Sequence, residues 1–240
     1  MKLRHLLLGS VAALAAAGSA NAATGWYMSL GAGANWIPKG DYRSFSSGVE
    51  NGNGTFSYND GYVVSGAIGF DFGEHWRTEF EVAYRDNDVD SYACGGECGG
   101  TTSAQVWELS QMVNVLYDVP LGGNWEASVG AGVGGNLVVL KDWEDSSGTQ
   151  QDDYVLAGQL IAQAAYRFAD RWQVYADYHY MFMDDPNLAY VGTPEDSIEL
   201  SKTDHSLQIG LRFDLQRDGA GPAPKQPDQP KAGAPKQFIV

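Results

Sequence analysis

Two groups of neighbouring side chains in this sequence carry the residue types of nucleophilic catalysis. Asp177 lies two residues before His179, and Asp204, His205 and Ser206 are consecutive. In a catalytic triad a carboxylate orients a histidine, which in turn activates a hydroxyl group. Neighbours along a strand point to opposite faces, however, so closeness in sequence does not build a triad. The sequence also has no G-x-S-x-G motif. We therefore predict that the protein has no catalytic residues and is not an enzyme.

A second group consists of metal-binding residue types. Cys94 and Cys98 supply only two thiolates, fewer than a structural zinc site requires. The segment Asp86–Asp90 resembles the beginning of a calcium-binding loop, but it lacks the later glycine and glutamate. We predict no metal site and no cofactor. Whether the two cysteines form a disulfide depends on the compartment.

The N-terminus predicts that the chain is exported. Lys2 and Arg4 precede an apolar run over 6–17, and Ala20-Asn21-Ala22 has the small-residue pattern of a cleavage site. Residues 1–22 therefore have the features of a secretory signal peptide. In an exported chain with only two cysteines, we expect Cys94 and Cys98 to form a disulfide.

Composition limits the class of protein. The chain has 240 residues, is 44% hydrophobic and has a formal net charge of −15. This excess of acidic residues argues against nucleic acid as a partner. Beyond the signal peptide, no apolar run approaches the roughly 18 residues of a membrane-spanning helix. A β-barrel remains compatible, because its lipid-facing residues alternate with polar ones.

The elements that must position the polar residues are predicted to be strands. Eight segments between Gly25 and Leu215 alternate apolar and polar residues with period two, which is typical of strands. Short polar turns alternate with long loops, which is the plan of an outer-membrane barrel. The short turns are 73–75, 120–124 and 169–171, and the long loops are 37–60, 87–104, 141–153 and 184–202.

Aromatic residues recur at one end of these strands. They open the odd-numbered strands and close the even-numbered ones, which predicts a girdle at the periplasmic membrane interface. A soluble β-sandwich, the alternative fold, would not explain aromatic residues at one end of each hairpin. The predicted girdle consists of Trp26, Phe72, Trp76, Tyr117, Trp125, Phe168, Trp172 and Phe213.

Several segments resemble the OmpA/opacity-type outer-membrane barrels. They are 25–33 (GWYMSLGAG), 76–85 (WRTEFEVAYR), 112–118 (MVNVLYD), 129–134 (VGAGVG) and 207–213 (LQIGLRF). The resemblance implies an all-β fold, an eight-stranded antiparallel up-and-down transmembrane β-barrel over residues 23–215. It also implies an outer-membrane location, with the long loops at the cell surface and both termini in the periplasm.

The last strand is similar to the insertion signal of this family. The signal is carried by Gln208, Gly210, Phe213 and Leu215. The resemblance therefore implies the barrel-insertion machinery as a partner, together with outer-membrane lipid and lipopolysaccharide. One departure is His179, which stands where these barrels often carry arginine.

Residues 216–240 are rich in proline and predict a periplasmic linker or tail. The final residues 238–240 resemble the beginning of the OmpA-type periplasmic domain, which binds peptidoglycan in that family. The resemblance thus implies the N-terminal barrel of an OmpA-like protein without that domain.

Charged residues on the predicted lumen face point to a filled barrel. An eight-stranded barrel is just wide enough for side chains to fill it, and buried charges are tolerable when they are paired. The predicted network consists of Asp71, Arg77, Glu79, Glu81, Arg85, Glu108, Asp177, His179 and Arg212.

A filled lumen favours a structural role for the barrel. We therefore predict a structural, surface-exposed protein that maintains envelope integrity, with loops available for adhesion, immune contact or a host or surface ligand. A narrow cation-preferring diffusion channel and an outer-membrane lipid- or peptide-modifying enzyme are the alternatives.

Overall fold

The computed structural model describes residues 25–95, 98–141, 150–190 and 193–215. The predicted signal peptide and the proline-rich tail lie outside these residues. Among the described residues, no helix is long and apolar enough to cross a membrane. The strands are β1 (Gly25–Trp36), β2 (Gly40–Ser46), β3 (Val49–Tyr58), β4 (Gly61–Asp71), β5 (Trp76–Cys94), β6 (Gly99–Thr101), β7 (Gln105–Gly122), β8 (Trp125–Lys141), β9 (Gln150–Ala169), β10 (Trp172–Met183), β11 (Asn187–Tyr190) and β12 (Thr193–Asp214).

Eight of these strands form a closed antiparallel ring. The order is β1-β4-β5-β7-β8-β9-β10-β12, and β12 pairs again with β1. When the register is followed around the ring from Gly25, it returns to β1 at Asn35, so the strands are staggered by ten residues in total. In a closed barrel, a stagger of this kind requires the strands to tilt relative to the barrel axis. The predicted eight-stranded barrel is confirmed.

The alternation along each strand separates an apolar outer face from a polar interior. Leu30 and Ile209 are 71% and 68% exposed on the outside, whereas Arg77 and Glu108 inside are each 1% exposed. Burying apolar surface against lipid therefore stabilises the outside, while the polar side chains inside must satisfy one another.

Two aromatic girdles border the apolar outer face. We call the end with the short turns the short-turn end. There the ring centroids of Trp76 and Tyr117 are 5.0 Å apart, and those of Trp172 and Phe213 are 4.7 Å apart. At the other end, the outer end, Trp36 and Tyr178 are among the aromatic residues on the outside. Trp26 and Trp36 are ten residues apart on β1, which is about 33 Å along a strand and about 25 Å across a membrane when the strand is tilted by about 40°.

The outer end contains far more β-strand than the sequence predicts. Much of the four long loops is strand: β5 continues to Cys94 and β12 begins at Thr193. The β2–β3 hairpin lies between β12 and β5, pairs with both, and so continues the wall above β1 and β4. Its turn, Ser47–Gly48, has positive φ at both residues, the geometry of a type I′ turn.

The largest apolar cluster lies inside this outer extension rather than at the membrane level. It contains side chains from eight strands and from the segment that precedes β7, and we call it the outer plug. Because the β2–β3 hairpin contributes to it, the hairpin both completes the wall and fills the interior. The outer plug consists of Tyr42, Phe56, Val89, Ala104, Val106, Val138, Leu140, Val155, Leu188, Ile198 and Leu200.

A charge placed on the lipid face should destabilise the barrel. Leu160 is 52% exposed on the outside of β9, between the two girdles. We expect Leu160→Arg to lower the free energy of unfolding by about 2–4 kcal/mol, because the guanidinium group would lie in hydrocarbon. Reversible urea unfolding in lipid vesicles measures this change. Thr55→Arg, on the exposed side of the outer extension, is the control, and equal losses for the two variants would refute the face assignment.

Candidate functional site: the barrel lumen

The layer of the lumen nearest the short-turn end is built around two arginines. Both guanidinium groups lie over the Tyr27 ring, whose centroid is 5.8 Å from Arg77 Cζ and 5.1 Å from Arg212 Cζ. Both guanidinium groups donate to Gln163 Oε1, with Arg77 Nη2 at 2.7 Å. Tyr27 Oη donates to Glu79 Oε1 at 2.8 Å. This layer therefore joins side chains from four strands.

The middle layer contains His179, which is 2% exposed. His179 Nε2 lies 3.4 Å from Asp177 Oδ2, and Nδ1 lies 3.9 Å from Glu81 Oε1. Gln159 Nε2 lies within 3.2 Å of Glu81 Oε1 and 2.8 Å of Asn114 Oδ1. The histidine thus sits between two carboxylates, which favour its positive charge.

The outer layer is centred on Lys202, whose side chain is completely buried. Its Nζ donates to Glu108 Oε1 and, at 2.7 Å, to Asp204 Oδ2. Asn136 Nδ2 donates to the other oxygen of Glu108 at 2.6 Å, and Asn35 Nδ2 lies 3.3 Å from Asp204 Oδ1. One lysine therefore forms ion pairs with two buried carboxylates, which also accept amide hydrogen bonds.

Arg85 connects strands that lie far apart in sequence. Its Nη1 donates to Ser110 Oγ at 2.8 Å and its Nε to Ser206 Oγ at 3.3 Å. Ser206 Oγ in turn donates to Asn35 Oδ1 at 2.7 Å. The polar layers thus continue as far as Lys202, and beyond it the interior becomes apolar.

The outer plug begins directly beyond Lys202. Leu200, two residues further out on β12, is fully buried in it, as are Leu188 and Ile198. The rings of Tyr42 and Phe56 stack with centroids 4.6 Å apart. Burial raises the pKa of the neighbouring Tyr58 hydroxyl well above its usual range. The interior is therefore filled by charged and polar side chains as far as Lys202 and by apolar side chains beyond it.

Charged residues outside the predicted network also lie in the lumen. Lys202 and Asp204 lie on β12 with buried side chains, although the sequence predicts a long loop over 184–202. Asp71 does lie opposite Arg77 in the register. Nevertheless, Arg77 is 3.3 Å from Asp118, and Asp71 Oδ1 accepts the Gly73 N–H at 2.7 Å.

The residue types of a catalytic triad are not brought together at the outer rim. His205 points outward. The Trp36 ring stacks on it with centroids 5.7 Å apart, and Tyr178 Oη lies 2.6 Å from His205 Nδ1. Ser206 and Asp204 point into the lumen. His75, in a short turn, contacts the Asp118 carbonyl oxygen through Nδ1. Within the described ranges, no group of three or more His, Cys, Asp or Glu side chains is placed to hold a metal ion.

The residues of the predicted insertion signal have structural partners in the finished barrel. Gln208 Oε1 accepts a hydrogen bond from Ser65 Oγ at 2.7 Å, and Leu215 N–H donates to the Trp26 carbonyl oxygen at 2.7 Å. Gly210 lies under the Tyr175 ring, where a Cβ atom would be 2.2 Å from Cζ. A side chain at Gly210 would therefore displace that ring.

Cys94 and Cys98 are joined by a disulfide at the outer end of β5. The Cys94 N–H also donates to the Cys98 carbonyl oxygen at 3.1 Å, which closes the same short loop. The bond therefore lies in the outer extension, on the far side of the outer plug from the charged layers.

The disulfide predicts how the exported protein behaves without reductant. We expect the peptide that contains Cys94 and Cys98 to be lighter by one pair of hydrogen atoms than its reduced form. Mass spectrometry of the mature chain measures this difference. A reduced sample, in which both thiols become alkylated, is the control. Ready alkylation without reductant would contradict the prediction.

Comparisons with known proteins agree with this architecture. The family model described as "Outer membrane protein beta-barrel domain" matches residues 5–214. A curated relative from Gluconacetobacter diazotrophicus, described as "Outer membrane protein", is 32% identical over 129 residues, which cover 50% of this chain and 34% of the relative. The chain thus spans about a third of the length of that relative.

Two solved structures share the fold. The outer membrane protein OprG from Pseudomonas aeruginosa is 16% identical with a TM-score of 0.56, over 80% of this chain and 98% of that chain. A major outer membrane protein from Thermus thermophilus is 16% identical with a TM-score of 0.52, over 80% of this chain and 99% of that chain. At such identities the likeness shows the fold alone.

Proposed function

Because the chain belongs to the outer membrane protein beta-barrel domain family, we propose that it is a structural, non-conducting barrel that stabilises the outer membrane and presents its outer extension at the cell surface. The observation that carries the proposal is the double filling of the interior, with paired charges inside the membrane and the outer plug beyond them. A barrel that served as a pore would need a continuous path for water. A narrow cation-preferring channel is the alternative function, and a conductance measurement tests it.

The proposed topology places the short-turn end and both termini in the periplasm. Short inner turns and longer outer segments are typical of bacterial barrels of this kind. The outer extension, including the β2–β3 hairpin and the disulfide, would then face the medium. An epitope inserted at the Ser47–Gly48 turn should bind antibody on intact cells.

The partners that we propose follow from the same topology. The outer girdle, with aromatic rings such as Tyr84 and Trp107 stacked at 5.9 Å, would contact the lipopolysaccharide leaflet. The last strand would engage the barrel-insertion machinery. A host or surface ligand, if one is bound, would contact the β2–β3 hairpin, where Val49 is 68% exposed.

Deletion of the gene tests the structural role. We expect the deletion strain to become more sensitive to detergents and to large hydrophobic antibiotics, because the outer membrane loses a structural component. Uptake of small hydrophilic solutes should stay unchanged. Complementation with the wild-type chain is the control. Slower solute uptake with an intact permeability barrier would instead support the channel and overturn the proposal.

A further inference from the structure

One glutamine of the barrel faces the lipid. Gln111 lies on β7 between Ser110 and Met112, whose side chains are fully buried in the interior, so the Gln111 side chain points outward. It is the only carboxamide on the outer face of the described strands between the two girdles. A polar group in this place needs partners in the protein or in a neighbouring molecule, because lipid tails offer none.

The depth of Gln111 separates it from the polar groups of lipids. It lies four positions along β7 from Trp107 of the outer girdle and six positions from Tyr117 of the girdle at the short-turn end. Four positions are about 13 Å along a strand, or about 10 Å along the membrane normal at a tilt of about 40°. Girdle rings lie at the level of the lipid headgroups. The headgroups are therefore too far away to bind this carboxamide.

The protein satisfies only part of the carboxamide. Gln111 Oε1 accepts a hydrogen bond from Tyr154 Oη at 3.0 Å, and Nε2 donates to the Leu109 carbonyl oxygen at 3.1 Å. The Tyr154 side chain reaches Gln111 across Gly135 of β8, where a Cβ atom would collide with Tyr154 Oη. Within the described part of the chain, the second hydrogen of Nε2 has no acceptor. Because a carbonyl oxygen accepts two hydrogen bonds, one donor and one acceptor are left for a neighbouring molecule.

The surface around Gln111 allows close approach of another barrel. Gly135 lies directly beside Gln111 in the register, and the exposed residues Ala131 and Ala162 continue the same face on β8 and β9. Small residues let two membrane-embedded backbones come together. On the opposite side of the ring, Leu30 of β1 is 71% exposed. The β7–β9 face is thus the flatter side of the barrel and carries the polar group.

We propose that the β7–β9 face binds a second copy of this chain, with the two Gln111 carboxamides paired across a two-fold axis parallel to the membrane normal. Copies inserted in the same direction hold Gln111 at the same depth. In a two-fold interface a surface patch meets itself, and a carboxamide is complementary to itself because it both donates and accepts. Each Nε2 donates its second hydrogen to Oε1 of the other copy. The dimer does not depend on whether the barrel conducts.

Energy transfer between donor-labelled and acceptor-labelled copies of the folded, mature chain in lipid vesicles tests the proposal. The wild type should show transfer that falls when the protein is diluted with lipid. Gln111→Leu should weaken the association by about tenfold, because it removes the hydrogen bonds between the copies. Leu30→Ala, on the opposite side, should leave the association unchanged. A shift in gel mobility on heating verifies that each variant is folded.

Two results of this measurement would overturn the proposal. One is a wild type that stays monomeric at every ratio of lipid to protein, and the other is association of Gln111→Leu as strong as that of the wild type. A monomeric wild type whose free energy of unfolding rises with added lipopolysaccharide, with no such rise for Gln111→Leu, would assign the carboxamide to a lipid instead.

Oxidative cross-linking tests the position of the axis. Val113 is the next outward residue of β7 and is 38% exposed. Val113→Cys should give a covalent dimer, because the two introduced thiols lie close to the axis. Ile209→Cys, on the far side of the barrel, should not, and the native cysteines are already joined to each other. Cross-linking through Ile209→Cys as efficient as that through Val113→Cys would refute the proposed interface.

Discussion

Replacing Lys202 by methionine should lower the free energy of unfolding by about 3–5 kcal/mol, because the change leaves buried carboxylates without their cation. Lys202, Glu108 and Asp204 are all buried, and the lysine donates to both carboxylates. Unfolding by urea in lipid vesicles measures the effect.

Two control variants separate the loss of the charge from the loss of the side chain. The double variant Lys202→Met with Asp204→Asn should recover part of the stability, since the one carboxylate that remains, Glu108, still interacts with the positive charge of the buried Arg85. Arg43→Met removes an ion pair with Glu199 in which the arginine side chain is 49% exposed, so it should cost at most about 1 kcal/mol. A loss for Lys202→Met no greater than that for Arg43→Met would show that the buried cluster contributes little.

The purified barrel should pass no porin-like current in a planar bilayer, and a single set of changes should not open it. Cutting the charged layer with Arg77→Ala and Glu79→Ala leaves the outer plug intact. Replacing residues 41–57 of the β2–β3 hairpin with a short glycine-serine linker removes Tyr42 and Phe56 from the plug but leaves the ion pairs of the lumen, such as Arg77–Asp118, in place. Because the two fillings lie one after the other along the lumen, we expect discrete conductance steps only when both are disrupted.

The ion selectivity of the doubly altered barrel provides a further check. Carboxylates such as Glu81, Glu108 and Asp177 would remain inside, so the current should be carried mainly by cations. A steady, large current through the wild type would contradict the proposed structural role. Full opening by the Arg77→Ala and Glu79→Ala changes alone would show that the outer plug does not seal the barrel.

Local patterns predicted which side chains share a face, but not which of them meet. Period-two alternation places Arg77, Glu79 and Glu81 on one face of β5, and all three side chains are buried. The contact of Arg77 with Gln163 depends instead on how far the ring is staggered. That stagger is a property of the closed barrel, and no single strand encodes it.

The outer plug was missed for a different reason. The segment 49–58 (VENGNGTFSY) is so rich in glycine and polar residues that it predicts a loop, and its inward Phe56 stands alone among them. The strand forms because β2 and β5 pair with it on both sides. Tertiary context therefore overrides a weak local propensity, which is common for strands. The loop predicted over 184–202 includes Lys202 for the same reason, because β12 continues outward from the barrel ring to pair with β2 and β11.

The closure of β12 against β1 has a consequence for how the protein folds. The hydrogen bond from Ser206 to Asn35 joins residues 171 positions apart, and that from Ser65 to Gln208 spans 143. Contacts of such high sequence separation form slowly, because a long loop must close before they contribute. Until the last strand arrives, the lumen charges of the other seven strands have no complete set of partners. We therefore expect the rate-limiting step of assembly to be the event that dehydrates the lumen.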